Sequence, residues 1–449
     1  MEKQGNLTEG PILKVLTKLA LPIMASAFLS TAYSITDMAW VGMLGSEAVA
    51  GIGVGGMYMW LSSGLATLAK TGGQVNVAQA IGRGRWEDSK NYANAAIQLG
   101  IIFGVAFGLV CLVFTKELIG FFELDGAYAV ESGITYLKIT GGMVIFSYIG
   151  IILTGIYTAQ GDSKTPLKAN FCGLVLNMIL DPLLILGAGP FPRMEAAGAA
   201  IATVVAQVIV TSLLIIFLRN KSQENVLKEI EILKQPDKRY IGPVVRIGGP
   251  IALQSMLYCG ISMVLSKFVT VFGDGAMATQ RVGGQVEAIS WNTADGFASA
   301  MNSFAAQNYG AGKMDRVKKG YKISAITVGI WGLIITAVFM IFPTQLSSLF
   351  FHEAEVINLC AHYFFIIGVG EAFMCIELMA VGALSGLGQT KVCSIISIIL
   401  TGMRIPLAHI LSNTVLGLDG IWWALTISSI SKGIALHFAF QRSAGKLTV

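Results

Sequence analysis

The chain has 449 residues, 54% of them hydrophobic and only 13% charged, with a net charge of +5. Soluble domains carry about 25% charged residues, so this composition excludes an ordinary water-soluble domain. The basic residues are dispersed among short segments without stacking aromatics, which excludes a nucleic-acid binder.

In chain order, helices are predicted near 15–44, 47–80, 91–114, 129–160, 166–187, 195–218, 244–272, 276–308, 319–342, 356–386, 391–412 and 418–440. Within them the stretches 97–114, 201–217, 326–342 and 393–403 are almost free of charge. With their flanks they approach the roughly 20 apolar residues that a helix needs to cross the hydrocarbon. The expectation is an all-α membrane protein of about twelve transmembrane helices. The first apolar stretch, 16–43, is too long for a signal-peptide core, contains Asp37 and shows no small-residue cleavage site, so it is expected to stay in the mature chain. The six cysteines lie in apolar stretches without metal-like spacing and are expected to be small core residues.

The connecting segments alternate in charge. Of the 31 basic residues, 23 fall in one set of segments: the amino terminus, 83–90, 164–168, 219–246, 313–322, Lys391 and the carboxyl terminus. The opposite set holds only Lys116 and Arg193, beside acids such as Glu47, Glu117, Glu353 and Asp419. Positive segments stay in the cytoplasm, so both termini are expected inside, in a multi-pass protein of the cell (inner) membrane. The net positive charge is then a topological signal.

Self-comparison shows an internal repeat. Ala78, Gln79, Gly82 and Gly84 align with Ala306, Gln307, Gly310 and Gly312 at a shift of 228, which also carries Pro22 onto Pro250 and Gly45 onto Gly273. Gly161 and Thr165 align with Gly386 and Thr390, and Gly198 and Ala202 with Gly420 and Ala424. Each half holds an even number of helices, so both enter the membrane with one orientation, as a parallel repeat about an axis along the membrane normal. The expected division is a six-helix bundle over 1–218, a charged cytoplasmic linker over 219–243 and a second six-helix bundle over 244–449. Repeat interfaces of this kind are where substrate paths run in transporters.

A carboxylate in the middle of a membrane helix costs about 2.5–3.5 kcal/mol on insertion scales, so it faces a partner or water. Asp37 follows Pro22 by fifteen residues in an otherwise apolar helix. It is either a functional acid beyond a proline kink or a helix-end residue in water. Asn177 and Asp181 stand at i and i+4 on the fifth predicted helix, so both project from one face. They form either a hard-cation or proton site, or a helix-ending cluster before Pro182. In the second half Glu287 and Trp291, again i and i+4, could hold an organic cation by charge and ring face, or Glu287 could pair with Arg281. Glu371 and Glu377 are six residues apart and do not share a face, and at least one is expected near the outer surface. Lys70 in the second helix either neutralises an acid or snorkels. The duplication maps Asp37 onto Leu265 and Asp181 near Pro406, so an ionic site would be asymmetric between the halves.

There is no phosphate-cradling loop of the nucleotide-hydrolysing kind, no HExxH and no Cys/His cluster, and the four histidines are scattered. An enzyme is not expected. Neither is a cofactor beyond a coupling ion.

Pro22, the run Asp37-Met38-Ala39-Trp40-Val41-Gly42-Met43-Leu44-Gly45, Ala78-Gln79 with Gly82 and Gly84, and Gly161-Asp162-Ser163-Lys164-Thr165-Pro166 occur in order. Asn177, Asp181-Pro182, Gly198-Ala199-Ala200 and Gln307-Asn308-Tyr309-Gly310-Ala311-Gly312 follow. In this order, over nearly the whole duplicated chain, the sequence resembles the multidrug and toxic compound extrusion (MATE) family. The resemblance implies a V-shaped pair of six-helix bundles and alternating access. It implies a secondary active antiporter that exports organic, often cationic and amphipathic compounds in exchange for H⁺ or Na⁺. Its amino-terminal cation site falls here at Asp37, Asn177 and Asp181, where Na⁺ would bind, with Thr203 as a further member. The NorM-like branch carries added acids on helices seven and ten. Helix seven here reads Gln254-Ser255-Met256-Leu257-Tyr258-Cys259 without an acid, which favours the DinF-like branch, while Glu371 and Glu377 on helix ten leave the choice open. Lys70, Glu287, Trp291 and Glu377 are the expected polar groups of the substrate chamber, and Pro22 the helix kink. Small organic molecules and the lipid bilayer are the expected partners of a monomer. The alternative is a related flippase for a lipid-linked sugar or cell-wall precursor, which would need a basic cavity.

Overall fold

A computed structural model of the chain describes residues 6–124, 126–187, 189, 191–219, 226 and 237–447. Its helices run as α1 (Ile12–Gly42), α2 (Ser46–Gly82), α3 (Trp86–Val113), α4 (Thr115–Gly120), α5 (Ala127–Gly142), α6 (Val144–Ala159), α7 (Lys164–Ile185) and α8 (Glu195–Arg219). They continue as α9 (Lys238–Thr270), α10 (Asp274–Gly310), α11 (Met314–Ile341), α12 (Pro343–Ser348), α13 (Ala354–Gly386), α14 (Thr390–Gly402), α15 (Arg404–Ser412) and α16 (Leu418–Lys446).

Among the described residues, nine helical segments are long and apolar enough to cross a membrane, α14 and α15 counting together as Thr390–Ser412. The α5–α6 pair, bent by 50° at Met143, makes a tenth. Two more have the length without the apolarity: α10 with 37 residues and α16 with 29. Their polar side chains, among them Ser290, Asn302, Gln307, Asn308, Ser428 and Lys432, are buried inside the protein, so their low hydropathy is spent on internal contacts and not on lipid. Twelve crossing-length segments result, in an all-helical membrane fold. Five of the cysteines are buried as expected, but Cys172 is exposed on α7: in a membrane fold an apolar run marks an exposed face as readily as a core.

The chain packs into two compact units. Unit 1 contains Ala25–Ala252; unit 2 contains Leu7–Met24 and Leu253–Val449. The charged connector expected over 219–243 lies largely outside the described residues. Both unit boundaries fall two residues beyond a repeat-related proline inside a helix, Pro22 in α1 and Pro250 in α9.

Within unit 1, α2 packs along α3, α5 and α6, and α7 packs on α8. Within unit 2, α13 is the central helix, flanked by α10, α11 and α16. Lipid tails offer no hydrophobic drive for helix association, so close backbone approach through small residues carries much of the packing. A β-carbon at Gly51 would lie 2.1 Å from the Ala129 carbonyl oxygen, and one at Gly382 would lie 2.3 Å from that of Ala298. Gly382→Ala should therefore force α13 from α10 and cost about 1–3 kcal/mol, as overpacking does elsewhere. The readout is thermal unfolding in detergent; an unchanged midpoint would show that the interface is loose.

The repeat is also visible in the turns. Gly84 and Gly312, aligned by the duplication, adopt φ of 71° and 72° after α2 and α10, a left-handed conformation that glycine takes without strain. Beside Gly312, the Gln307 and Asn308 amides acquire a physical role. Gln307 accepts from the Leu7 N–H at 3.0 Å, and Asn308 donates to the Leu7 carbonyl at 3.1 Å. Arg316 donates to the Glu9 carbonyl at 2.8 Å, and Leu7 itself is buried. These bonds hold the chain entering α1 within unit 2. In unit 1 the chain entering α9 is held by the Tyr240 hydroxyl, which donates to Asp88 at 3.0 Å, and by the Tyr240 ring edge on Tyr92. Asp88 and Arg316 are aligned by the same shift of 228.

Candidate functional site

The most unusual chemistry of unit 1 lies where α1, α5, α7 and α8 meet. On α7, the four-residue spacing of Asn177 and Asp181 puts both on the inward face, and the structure buries them at 1% and 0% exposure. Both atoms of the Asn177 amide and both Asp181 carboxylate oxygens lack a hydrogen-bond partner among the described residues. So does one oxygen of the half-buried Asp37 on α1. Asp37 and Asp181 are close enough for their charges to repel each other. A buried carboxylate with no donor costs several kcal/mol, and two that repel cost more. The arrangement is stable when it holds a proton or a cation.

Thr203, on α8, belongs to the same cluster. Its hydroxyl lies 3.3 Å from the Tyr33 hydroxyl and also bonds Tyr136 of α5. Both tyrosines lie within electrostatic reach of Asp37 and Asp181. Sequence reasoning missed them. Tyr33 stands one turn before Asp37 on the same face of α1, which is a legible signal; nothing in the sequence sets the rotation of α5 that brings in Tyr136. The donor set of carboxylates, an amide and hydroxyls is all oxygen chemistry suited to a hard monovalent cation or a proton. Among the described residues no three His, Cys, Asp or Glu side chains gather as a metal centre would require.

The remaining expected site residues lie elsewhere. Lys70, half-buried on α2, lays its stem against Gly155 of α6 and has no acidic partner among the described residues. Glu287 on α10 accepts a hydrogen bond from the Tyr363 hydroxyl at 3.1 Å. Trp291, one turn on, is 44% exposed and is not part of that contact. Glu377 on α13 is ion-paired with Lys432 of α16 at 2.7 Å, both buried. Glu371 and Glu377 are both buried, at 1% and 7% exposure. They face different neighbours around α13, Glu371 towards Glu287 and Glu377 towards Lys432, so each has its own reason to be inside. Lys432 went unrecognised as an intramembrane group.

The MatE family matches the chain twice, over residues 22–183 and again over 250–410. The two matches open at Pro22 and Pro250, the prolines that the internal repeat aligns. A protein of Shewanella oneidensis named "FAD transporter" is 25% identical over 98% of this chain and 97% of its own length. "Probable multidrug resistance protein NorM" of Thermotoga maritima is 27% identical over 92% of this chain and 88% of its own. Among solved structures, the outward-facing conformation of a multidrug resistance MATE family transporter of the MOP superfamily superimposes with a TM-score of 0.91. It covers 100% of this chain and 99% of that one at 23% identity, a likeness of fold.

Proposed function

This chain belongs to the MatE family, and on that premise we propose that it is a secondary antiporter exporting organic, often cationic and amphipathic compounds in exchange for H⁺ or Na⁺ by alternating access. The observation that supports this reading is the cluster of unit 1 in which buried Asn177 and Asp181, and one oxygen of half-buried Asp37, lack a hydrogen-bond partner among the described residues. An ion that binds this cluster more tightly in one conformation than in another shifts the balance between them by that difference in affinity. Asp37 sits on the helix whose opening turns belong to unit 2, while Asp37 itself belongs to unit 1. Occupancy at Asp37 thus acts on a helix that both units share, with Pro22 as its point of flexure. The relative named a multidrug resistance protein supports the substrate class. The unpartnered acids of unit 1 favour amino-terminal, DinF-like coupling.

A second reading is supported by Lys70. A half-buried ammonium group without an acid partner suits an anionic substrate, and one relative is named a transporter of FAD, a dinucleotide. A lipid-linked pyrophosphate would ask for more. Arg404 and Lys432, which could have lined a basic cavity, are engaged by their own neighbours.

The test is uptake into proteoliposomes under an imposed H⁺ or Na⁺ gradient, with a fluorescent organic cation and with FAD as probes. Accumulation of the organic cation under one gradient is expected and identifies the ion. Accumulation of FAD alone selects the second reading, and no gradient dependence for either probe removes the antiport proposal.

A further inference from the structure

The segment that leads into α1 is gripped by its backbone. Residues 7–9 precede the first helical residue, Ile12, so their peptide groups lie outside the helical ladder. Side chains from the end of α10, the turn after it and the start of α11 serve them. The Gln307 oxygen accepts from the Leu7 N–H at 3.0 Å, and the Asn308 amide donates to the Leu7 carbonyl at 3.1 Å. Lys313 donates to the Thr8 carbonyl at 3.1 Å, and Arg316 to the Glu9 carbonyl at 2.8 Å. Three successive residues are thus held by four side chains. Gln307 and Asn308 are buried, as is Leu7, so their bonds matter most: a buried polar group that loses its partner is not served by water. Only Gly10 and Pro11 separate the grip from Ile12. The Pro11 ring fixes its φ, and its carbonyl already accepts from the Val15 N–H at 3.1 Å, which leaves little slack.

The repeat shows that this grip is particular to unit 2. The shift of 228 aligns Gln307, Asn308, Lys313 and Arg316 with Gln79, Ala80, Arg85 and Asp88. Ala80 offers no amide, Asp88 reverses the charge of Arg316, and the Gln79 oxygen accepts from Arg83, four residues on, at 3.1 Å. Asp88 holds a side chain, the Tyr240 hydroxyl, which keeps rotamer freedom that a backbone held at consecutive residues lacks.

We propose that Gln307 and Asn308, with Lys313 and Arg316, are positioning residues of the transport cycle. They clamp residues 7–9 so that the part of α1 before Pro22 is fixed in unit 2, and ion occupancy at Asp37 acts across the flexure instead of shifting a loose helix end. The inference rests on the reading of Asp37 and Asp181 as the coupling acids. The unit boundary within α1 falls between Met24 and Ala25, two residues beyond Pro22. A helix anchored on both sides of that point transmits a displacement, and one with a free leading end absorbs it.

Two changes in the full chain test the clamp. A short run of glycines inserted between Gly10 and Pro11 leaves every clamp bond in place but slackens its tie to α1. Gln307→Leu with Asn308→Leu removes the two buried contacts. Each is reconstituted in proteoliposomes beside the wild type and Asp181→Asn. The initial rate of uptake is measured with whichever of a fluorescent organic cation and FAD the wild type accumulates. Unfolding midpoints of the same proteins are followed as the pH is lowered and as NaCl replaces choline chloride, a readout of ion binding that needs no transport. The insertion is expected to keep the wild-type midpoint and ion response while its uptake falls at least roughly fivefold, the lower end of the usual coupling range. The double leucine variant should lose at least as much uptake. Wild-type uptake by the insertion overturns the proposal, since the clamp would then only fasten the structure. Loss of its ion response also overturns it, because the damage would lie at the ion site and not in transmission. Should the double leucine variant not fold, the insertion alone decides. An ion response that is absent from the wild type, or unchanged in Asp181→Asn, defeats the reading of the coupling acids, and the clamp is then judged by uptake of the insertion.

Discussion

Asp181→Asn is expected to abolish gradient-driven accumulation while leaving the protein folded. Asparagine has nearly the same shape, but it can neither give up a proton nor present a negative charge to a cation. Asp181 is fully buried and both its oxygens lack donors among the described residues, a placement that favours a proton or an ion upon the carboxylate. The amide removes that preference, and stability should hold or rise, because a buried acid without partners is a burden on the fold. Coupling free energies between two sites are typically about 1–3 kcal/mol, which places the loss of accumulation at roughly 5–150-fold. Asp37→Asn should act in the same direction. Its half-buried position gives it some solvation, so a smaller effect on stability is expected. The measurement is uptake of a fluorescent organic cation under the active gradient, set beside the unfolding midpoint of the same protein. Wild-type accumulation in a folded Asp181→Asn protein would remove this residue from the coupling site.

The acids themselves were legible because charge stands out against an apolar background. Asn177 and Asp181 needed only helical spacing to be placed on one face, and the face is indeed internal. The helices were legible for the same reason, down to the pairing of Gly84 with Gly312 in matching left-handed turns. What periodicity cannot supply is the rotation and height of one helix against another. Tyr136 joins the Asp37 cluster through the placement of α5, and Glu287 meets Tyr363 of α13 in preference to the Trp291 that shares its own helix face. A pattern within one helix proposes neighbours; a neighbouring helix supplies them.

The amides of the repeated Ala-Gln motif illustrate a different limit. Gln307 and Asn308 were visible as a repeat anchor, yet their task concerns Leu7, some 300 residues earlier. Local sequence logic ascribes buried amides to their own helix. Only the packing of Leu7–Met24 in unit 2 shows that they satisfy the backbone of a chain segment that has not yet entered its helix. The same blindness hid Lys432. Counting basic residues for topology sets aside those inside helices, and Lys432 stands in the middle of the last one. The structure turns it inward at 3% exposure, onto Glu377.

That inward turn makes Glu377 and Lys432 the pair whose disruption should damage the fold most. Taking two charges out of water is costly, and their attraction at 2.7 Å offsets the cost only while both are present. Lys432→Met strands a carboxylate on α13, and Glu377→Gln strands an ammonium group within electrostatic reach of Arg404. Each single change should cost about 3–5 kcal/mol, the usual penalty for breaking a buried pair. The double change Glu377→Met with Lys432→Met replaces both charges by apolar side chains of similar length and should recover most of the loss. Unfolding midpoints of the four proteins form a double-mutant cycle that isolates the pair. If the singles unfold no earlier than the double, the charges are already neutral in the native protein. The α13–α16 contact would then be held by packing.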